Sequence, residues 1–112
     1  MDTITAIRYF SALGQETRLR TFRLLLEAGP DGMAAGAIAN QLNIPHNTLS
    51  SHLSLLEHSG LICRKRCGRS IIYRARVEEL RALLSYLIED CCQGHPEQCS
   101  QLLDAALVSC AS

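Results

Sequence analysis

At 112 residues the chain is read as one domain spanning 1–112, and no stretch approaches the ~18 consecutive apolar residues of a membrane span. Hydrophobic residues make up 47% but aromatic ones only 4%, so the core must be built mainly of Leu, Ile and Ala, a composition that favours helices. The formal net charge of zero conceals a polarised chain. Residues 46–76 carry Arg64, Lys65, Arg66, Arg69, Arg74 and Arg76 against Glu57 alone, whereas Glu78, Glu79, Glu89, Asp90, Glu97 and Asp104 later face only Arg81. A basic middle of this kind suits a polyanion.

In chain order, Ile4, Ile7, Phe10 and Leu13 recur at helical spacing and Gly14 stops them, which predicts a first core helix. Leu19, Phe22, Leu25 and Leu26 mark a second, with Glu16 in its first turn and a break at Ala28-Gly29-Pro30-Asp31-Gly32. A short third helix is expected from about Met33 to Leu42, burying Ile38 and Leu42. Asn43-Ile44-Pro45 then forces a turn, because Pro disfavours helical geometry in the residue before it. From His46 a fourth helix turns Leu49, Leu53 and Leu56 to one side and ends at His58-Ser59-Gly60. Two helices joined by so short a turn make a helix-turn-helix.

Leu61 to Arg66 and Ser70 to Arg74 are strand-like runs around Cys67-Gly68-Arg69, a hairpin in the position of a wing. A fifth helix from Val77 or Glu78 to Cys92 carries Leu80, Leu83, Leu84, Leu87, Ile88 and Cys91 as a stripe too wide for a helix lying free on the surface. After Gly94 and Pro96, Glu97 to Val108 reads as a last short helix. The fold expected is therefore mainly α with a small β-hairpin, a winged helix-turn-helix. The fifth-helix stripe points to a homodimer, since a chain this small would otherwise expose a large aliphatic patch.

With the leucines of the fourth helix turned inward, His46, Asn47, Thr48, Ser50, Ser51 and His52 project from its first half. These short polar groups can read base edges in the major groove. Arg64, Lys65, Arg66 and Arg69 on the hairpin are suited to phosphates or the minor groove. Double-stranded operator DNA is the partner these features predict. No Gly-rich phosphate loop, carboxylate pair or Ser/His/Asp arrangement suggests an enzyme or a catalytic cofactor.

Leu13-Gly-Gln-Glu-Thr-Arg-Leu-Arg20, the run Asn47-Thr-Leu-Ser-Ser-His-Leu-Ser-Leu-Leu-Glu-His-Ser-Gly-Leu-Ile62, and Arg66-Cys-Gly-Arg-Ser-Ile-Ile-Tyr73 together resemble the ArsR/SmtB family of bacterial metalloregulatory repressors over about residues 5–92. The resemblance implies a winged-helix dimer, paired through its first and fifth helices, that represses an operon until an inducer binds. Two of the family's familiar sensor patterns are missing. The third-helix region reads Met33-Ala34-Ala35-Gly36-Ala37 where several arsenic repressors have Cys-Val-Cys, and the fifth helix lacks the Asp/His set associated with zinc. The chain is most similar to arsenic-responsive relatives with a C-terminal vicinal cysteine pair.

The start of the chain lacks a basic stretch followed by an apolar run, so a cytoplasmic setting with reduced thiols is expected. Three of the six cysteines fall between Cys91 and Cys99. Thiolates select soft ions. Adjacent Cys91 and Cys92 diverge by roughly 100° on a helix, but the break from Gly94 to Pro96 lets the chain double back and bring Cys99 towards them. Cys99 lies in the first turn of the last expected helix, where the dipole favours a thiolate. Trivalent arsenic or antimony takes three thiolates, and Cys91, Cys92 and Cys99 supply three. Other inducers fit the same segment: methylarsenite, cadmium, lead or mercury, or oxidation of a thiol switch. His95 could complete a Cys₃His zinc set, and Cys110 could join as an accessory thiol. Cys63 is expected in the core and Cys67 at the wing tip.

Overall fold

The computed structural model describes residues 1–88. In chain order these form α1 (Thr3–Leu13), α2 (Glu16–Ala28), β1 (Met33–Ala34), α3 (Ala35–Leu42), α4 (His46–Ser59), β2 (Ile62–Cys67), β3 (Ser70–Ala75) and α5 (Val77–Ile88), with a 3₁₀ turn at Gly29–Asp31. The expected extension of α5 to Cys92, the last helix and the cluster of Cys91, Cys92 and Cys99 lie outside the described residues. No helix among the described residues is long and apolar enough to cross a membrane.

The helices start and stop where local chemistry dictates. The Asp2 carboxylate accepts from the Thr5 N–H at 2.9 Å and caps α1, and hydrogen bonding from the Thr5 side chain, then from its N–H, holds the Asp2 pKa below the usual value. Gln15 caps α2 through its side-chain oxygen, which accepts from the Arg18 N–H at 3.0 Å. Asn43, in the left-handed region at φ 55°, closes α3, and Pro45 stands at the N-cap of α4. Phe22, Leu25, Ile38, Leu49, Leu53, Leu56, Leu61 and Ile62 are fully buried where α2, α3, α4 and the sheet meet. The aliphatic core anticipated from composition is thus present, with Phe22 and Tyr9 as its large buried rings.

Two expectations need correction. The third helix does not begin at Met33: Met33 and Ala34 pair antiparallel with Tyr73 and Ile72, so the hairpin gains a third strand in the order β1-β3-β2. Gly32 permits this close approach. Its φ is +66°, and a Cβ there would lie 2.3 Å from the Tyr73 carbonyl oxygen, so any other residue would push β1 off β3.

The second correction concerns α1. Three of its large apolar residues face away from the core: Ile4 is 74% exposed, Ile7 59% and Phe10 45%, while Ala6, Tyr9 and Ala12 are buried and Leu13 packs half-buried against the core. Small residues on the inner side let α1 lie close against α2 and α4, and the bulk is left outside. α5 behaves similarly. Only Leu83 of α5 is fully buried, and Leu84 and Leu87 are 44% and 47% exposed. The two helices are joined by the Tyr9 hydroxyl, which donates to Glu79 Oε2 at 2.8 Å, and by a hydrogen bond of 2.5 Å between the Thr3 and Tyr86 hydroxyls. Burial of Tyr9, reinforced by the Glu79 carboxylate, raises its pKa above the usual phenol value.

Candidate nucleic-acid interface

Helices α3 and α4, joined through Asn43-Ile44-Pro45, form the helix-turn-helix. The leucine period decides which side of α4 is free. Leu49, Leu53 and Leu56 are buried, so Asn47, Thr48, Ser50, Ser51 and Ser54 are exposed on the opposite side. Two of these groups are partly engaged within the helix: Asn47 Oδ1 accepts from the Thr48 N–H at 3.0 Å, and the Ser51 hydroxyl donates to the Thr48 carbonyl at 3.1 Å. His46 is exposed too, with its ring beside Gly36 at the start of α3.

His52 differs from the other five expected readers. It is half-buried at the border of the polar face, and its Nδ1 lies 3.3 Å from Nη1 of Arg18. Arg18 Nε also donates to the Ala12 carbonyl at 2.6 Å and Nη2 to the Ser11 carbonyl at 3.4 Å. One guanidinium therefore joins the carbonyl end of α1 to the middle of α4. A second tie is Arg8 Nε, which donates to the Ser59 carbonyl at the end of α4 at 3.2 Å. At that end the His58 Nδ1–H donates to the Ser54 carbonyl at 2.8 Å.

The wing is β2 and β3, paired from Ile62↔Ala75 to Cys67↔Ser70 and closed by Gly68-Arg69. Gly68 has φ 63°, the positive value that two-residue hairpins require at the first turn position. Strand alternation sorts the basic residues into two sets. Arg64 and Arg66 share a face with buried Ile62. Arg64 reaches back to Glu57 of α4, Nε to Oε2, at 3.2 Å. Lys65 lies on the other face with Cys63, Cys67, Ile72 and Arg74, and these line a cavity of about 330 Å³ closed by Pro30 and Asp31. Cys63 is therefore half-buried on the outer face rather than in the core, where its neighbour Ile62 sits, and Cys67 is exposed near the tip as expected.

Among the described residues, Arg64 and Arg76 are the basic side chains of the 46–76 segment held by carboxylates; Lys65, Arg66, Arg69 and Arg74 are in no ion pair. The positive potential of the wing thus stays largely uncompensated beside the polar face of α4. Reading the sequence missed Arg18, Arg8 and Glu57 as parts of this site. Arg18 lies inside one of the family-like phrases, but nothing in its spacing signals a contact with a helix 34 positions away. Among the described residues no three His, Cys, Asp or Glu come together as a metal site.

A helix-turn-helix domain model matches residues 13–62, from the end of α1 to the start of β2. An uncharacterized helix-turn-helix transcriptional regulator of Methanocaldococcus jannaschii is 33% identical over 85 residues, covering 73% of this chain and 93% of the relative. Among solved structures, an ArsR-like transcriptional regulator from Rhodococcus sp. RHA1 superposes with a TM-score of 0.67 at 26% identity, over 92% of this chain and 93% of that one. The homodimeric winged helix-turn-helix DNA-binding domain of a Mycobacterium bovis regulator does so with a TM-score of 0.63 at 27% identity, over 84% and 83%. The Mycobacterium bovis domain is itself a winged helix-turn-helix, and all three of these proteins are transcriptional regulators rather than enzymes. The chain belongs to the helix-turn-helix transcriptional regulators, and its winged helix-turn-helix is built like those of the ArsR-like regulators it superposes on.

Proposed function

We propose that this chain is a dimeric repressor that binds operator DNA and is released when a trivalent arsenic or antimony species is captured by Cys91, Cys92 and Cys99. The observation that carries the DNA reading is the polar outer face of α4 flanked by a hairpin whose Lys65, Arg66, Arg69 and Arg74 are in no ion pair among the described residues. A helix presenting Asn47, Thr48, Ser50 and Ser51 to the major groove would read base edges while the wing meets phosphates.

The dimer reading rests on the outward apolar side chains of α1 and α5: Ile4, Ile7 and Phe10 with Leu84 and Leu87. A second copy is the occupant that this resemblance implies, and the Mycobacterium bovis domain is homodimeric. The inducer reading rests on donor chemistry in the sequence. Three thiols within nine residues match a pyramidal trivalent metalloid, and a three-ligand site has to draw on residues after Ile88 or on a second copy. Because the segment follows α5 directly, capture there can bias how two copies pair. A coupling of ~1–3 kcal/mol between inducer and DNA would release a substantial share of operators.

The test is operator release, followed by fluorescence anisotropy on a DNA site selected from a random duplex pool, against arsenite, antimonite, methylarsenite, cadmium, lead, mercury, zinc and peroxide. Cys91→Ser, Cys92→Ser and Cys99→Ser should each bind DNA normally and respond poorly to arsenite, while Cys63→Ser responds nearly as wild type. X-ray absorption should show three sulfurs around arsenic. If all three serine variants are still released at wild-type arsenite concentrations, the sensor is elsewhere.

A further inference from the structure

Arg18 and His52 constrain each other in a way that assigns a proton. A guanidinium is donor only, so the contact between its Nη1 and His52 Nδ1 at 3.3 Å is a hydrogen bond only if Nδ1 is the unprotonated acceptor. The neutral imidazole then carries its hydrogen on Nε2. No protein group accepts from Nε2 among the described residues, and no half-buried side-chain nitrogen is both sealed from solvent and unpartnered. Nε2–H therefore reaches the surface. It does so on the recognition helix, one turn after exposed Thr48 and next to exposed Ser51. His58 on the same helix takes the opposite tautomer, because its Nδ1 faces the Ser54 carbonyl and must donate.

We infer that Arg18 is a positioning residue that fixes His52 in its Nε2–H form, so that His52 offers duplex DNA a single outward donor and can meet only an acceptor there. This rests on the DNA reading proposed above. The acceptor chemistry is that of a purine N7 in the major groove, or of a phosphate oxygen. The two other hydrogen bonds of Arg18, to Ala12 and Ser11, hold the guanidinium in place, so the geometry exists before DNA arrives.

Long-range ¹H–¹⁵N correlation spectra of the DNA-free protein, taken where His52 is neutral, should show protonated Nε2 and bare Nδ1. Arg18→Met should yield a tautomer mixture and Arg18→Lys, which keeps a donor, should restore the Nε2–H form. A wild-type His52 carrying its proton on Nδ1, or an Arg18→Met spectrum identical to wild type, would overturn the assignment. On a selected site, His52→Gln retains an N–H where Nε2 stood and should bind within about threefold of wild type. His52→Asn keeps only the inward group and should lose about tenfold, the worth of one well-made hydrogen bond. In that variant alone, either 7-deazapurine at one position or a neutral methylphosphonate at one linkage should have no further effect, and which of the two it is identifies the acceptor. Equal affinities for wild type, His52→Gln and His52→Asn would refute the role of His52. If wild type selects no sequence at all, the DNA reading itself fails, whatever tautomer the spectra report.

Discussion

Helices α1 and α4 carry apolar residues at much the same spacing and do opposite things with them. In α4 the leucines at 49, 53 and 56 are buried and the polar side is free; in α1 the large residues Ile4, Ile7 and Phe10 are free and the alanines are buried. Periodicity says that a helix has an apolar side but not what lies against it. For α4 the answer is this chain's own core. For α1, together with α5, the proposed answer is a second copy.

The comparison breaks most sharply under truncation. Leu53→Ala or Leu56→Ala should lower unfolding free energy by about 2–5 kcal/mol in denaturant titrations, because a fully buried leucine leaves a cavity as well as losing its transfer energy. Ile7→Ala should cost far less when unfolding is measured at concentrations where the protein is monomeric. A loss at Ile7 as large as at Leu53 would mean that α1 is packed within the chain after all.

Assembly should respond in reverse. The pair Ile7→Asp and Leu87→Asp places carboxylates on two exposed positions, so the monomer fold should keep its helical circular dichroism while sedimentation at micromolar concentration reports half the wild-type mass. Binding to a two-half-site operator should weaken more than tenfold. An unchanged dimer would move the interface off α1 and α5.

A smaller effect separates the unpaired arginines of the wing from the paired one. Arg66→Ala and Arg69→Ala should each weaken binding to all sequences alike and flatten the dependence of log affinity on log salt by about 1, the signature of one lost phosphate contact. Arg64 is already shared with Glu57, an exposed pair of the kind that contributes ~0–1 kcal/mol, and Arg64→Ala should change the slope less. Equal slopes for all three would mean that the Glu57 pair opens on DNA.

How much of this was legible in the sequence follows from the same contrast. The helix-turn-helix and hairpin could be read because local signals coincide there: Asn43-Ile44-Pro45 between helices, Gly60 after the leucine run, Gly68 at the bend. Strand β1 could not, since two residues carry no period and their pairing depends on Gly32 meeting Tyr73 across the fold. The orientation of α1 was misjudged because Ala6 and Ala12 are weaker hydrophobic signals than Ile4 and Ile7, although small size is what admits them to a close helix contact. Of the candidate DNA readers, five are exposed as expected, while His52 is committed through Arg18 to a single role that no pattern encodes.

The finest test of the comparison lies where α1 meets α5. Tyr9 is the one large residue that α1 buries, and its hydroxyl spans to Glu79, which Arg76 also holds at 3.3 Å. Tyr9→Phe removes the hydrogen bond, keeps the ring and leaves Glu79 with a partner, so stability should fall by only about 1 kcal/mol. Its pH dependence identifies the cause. Burial and the Glu79 carboxylate raise the phenol pKa, outweighing Arg8 and Arg76, so the folded state holds this proton more tightly than the unfolded chain does. The contribution is therefore complete below the ordinary tyrosine pKa of about 10 and is lost as pH rises through the higher folded value. Wild-type stability should consequently drop more steeply above pH ~10 than that of Tyr9→Phe, and the two curves should converge. Parallel curves would show that Tyr9 ionises as freely in the folded protein as in the unfolded one, and that α1 meets α5 through the ring alone.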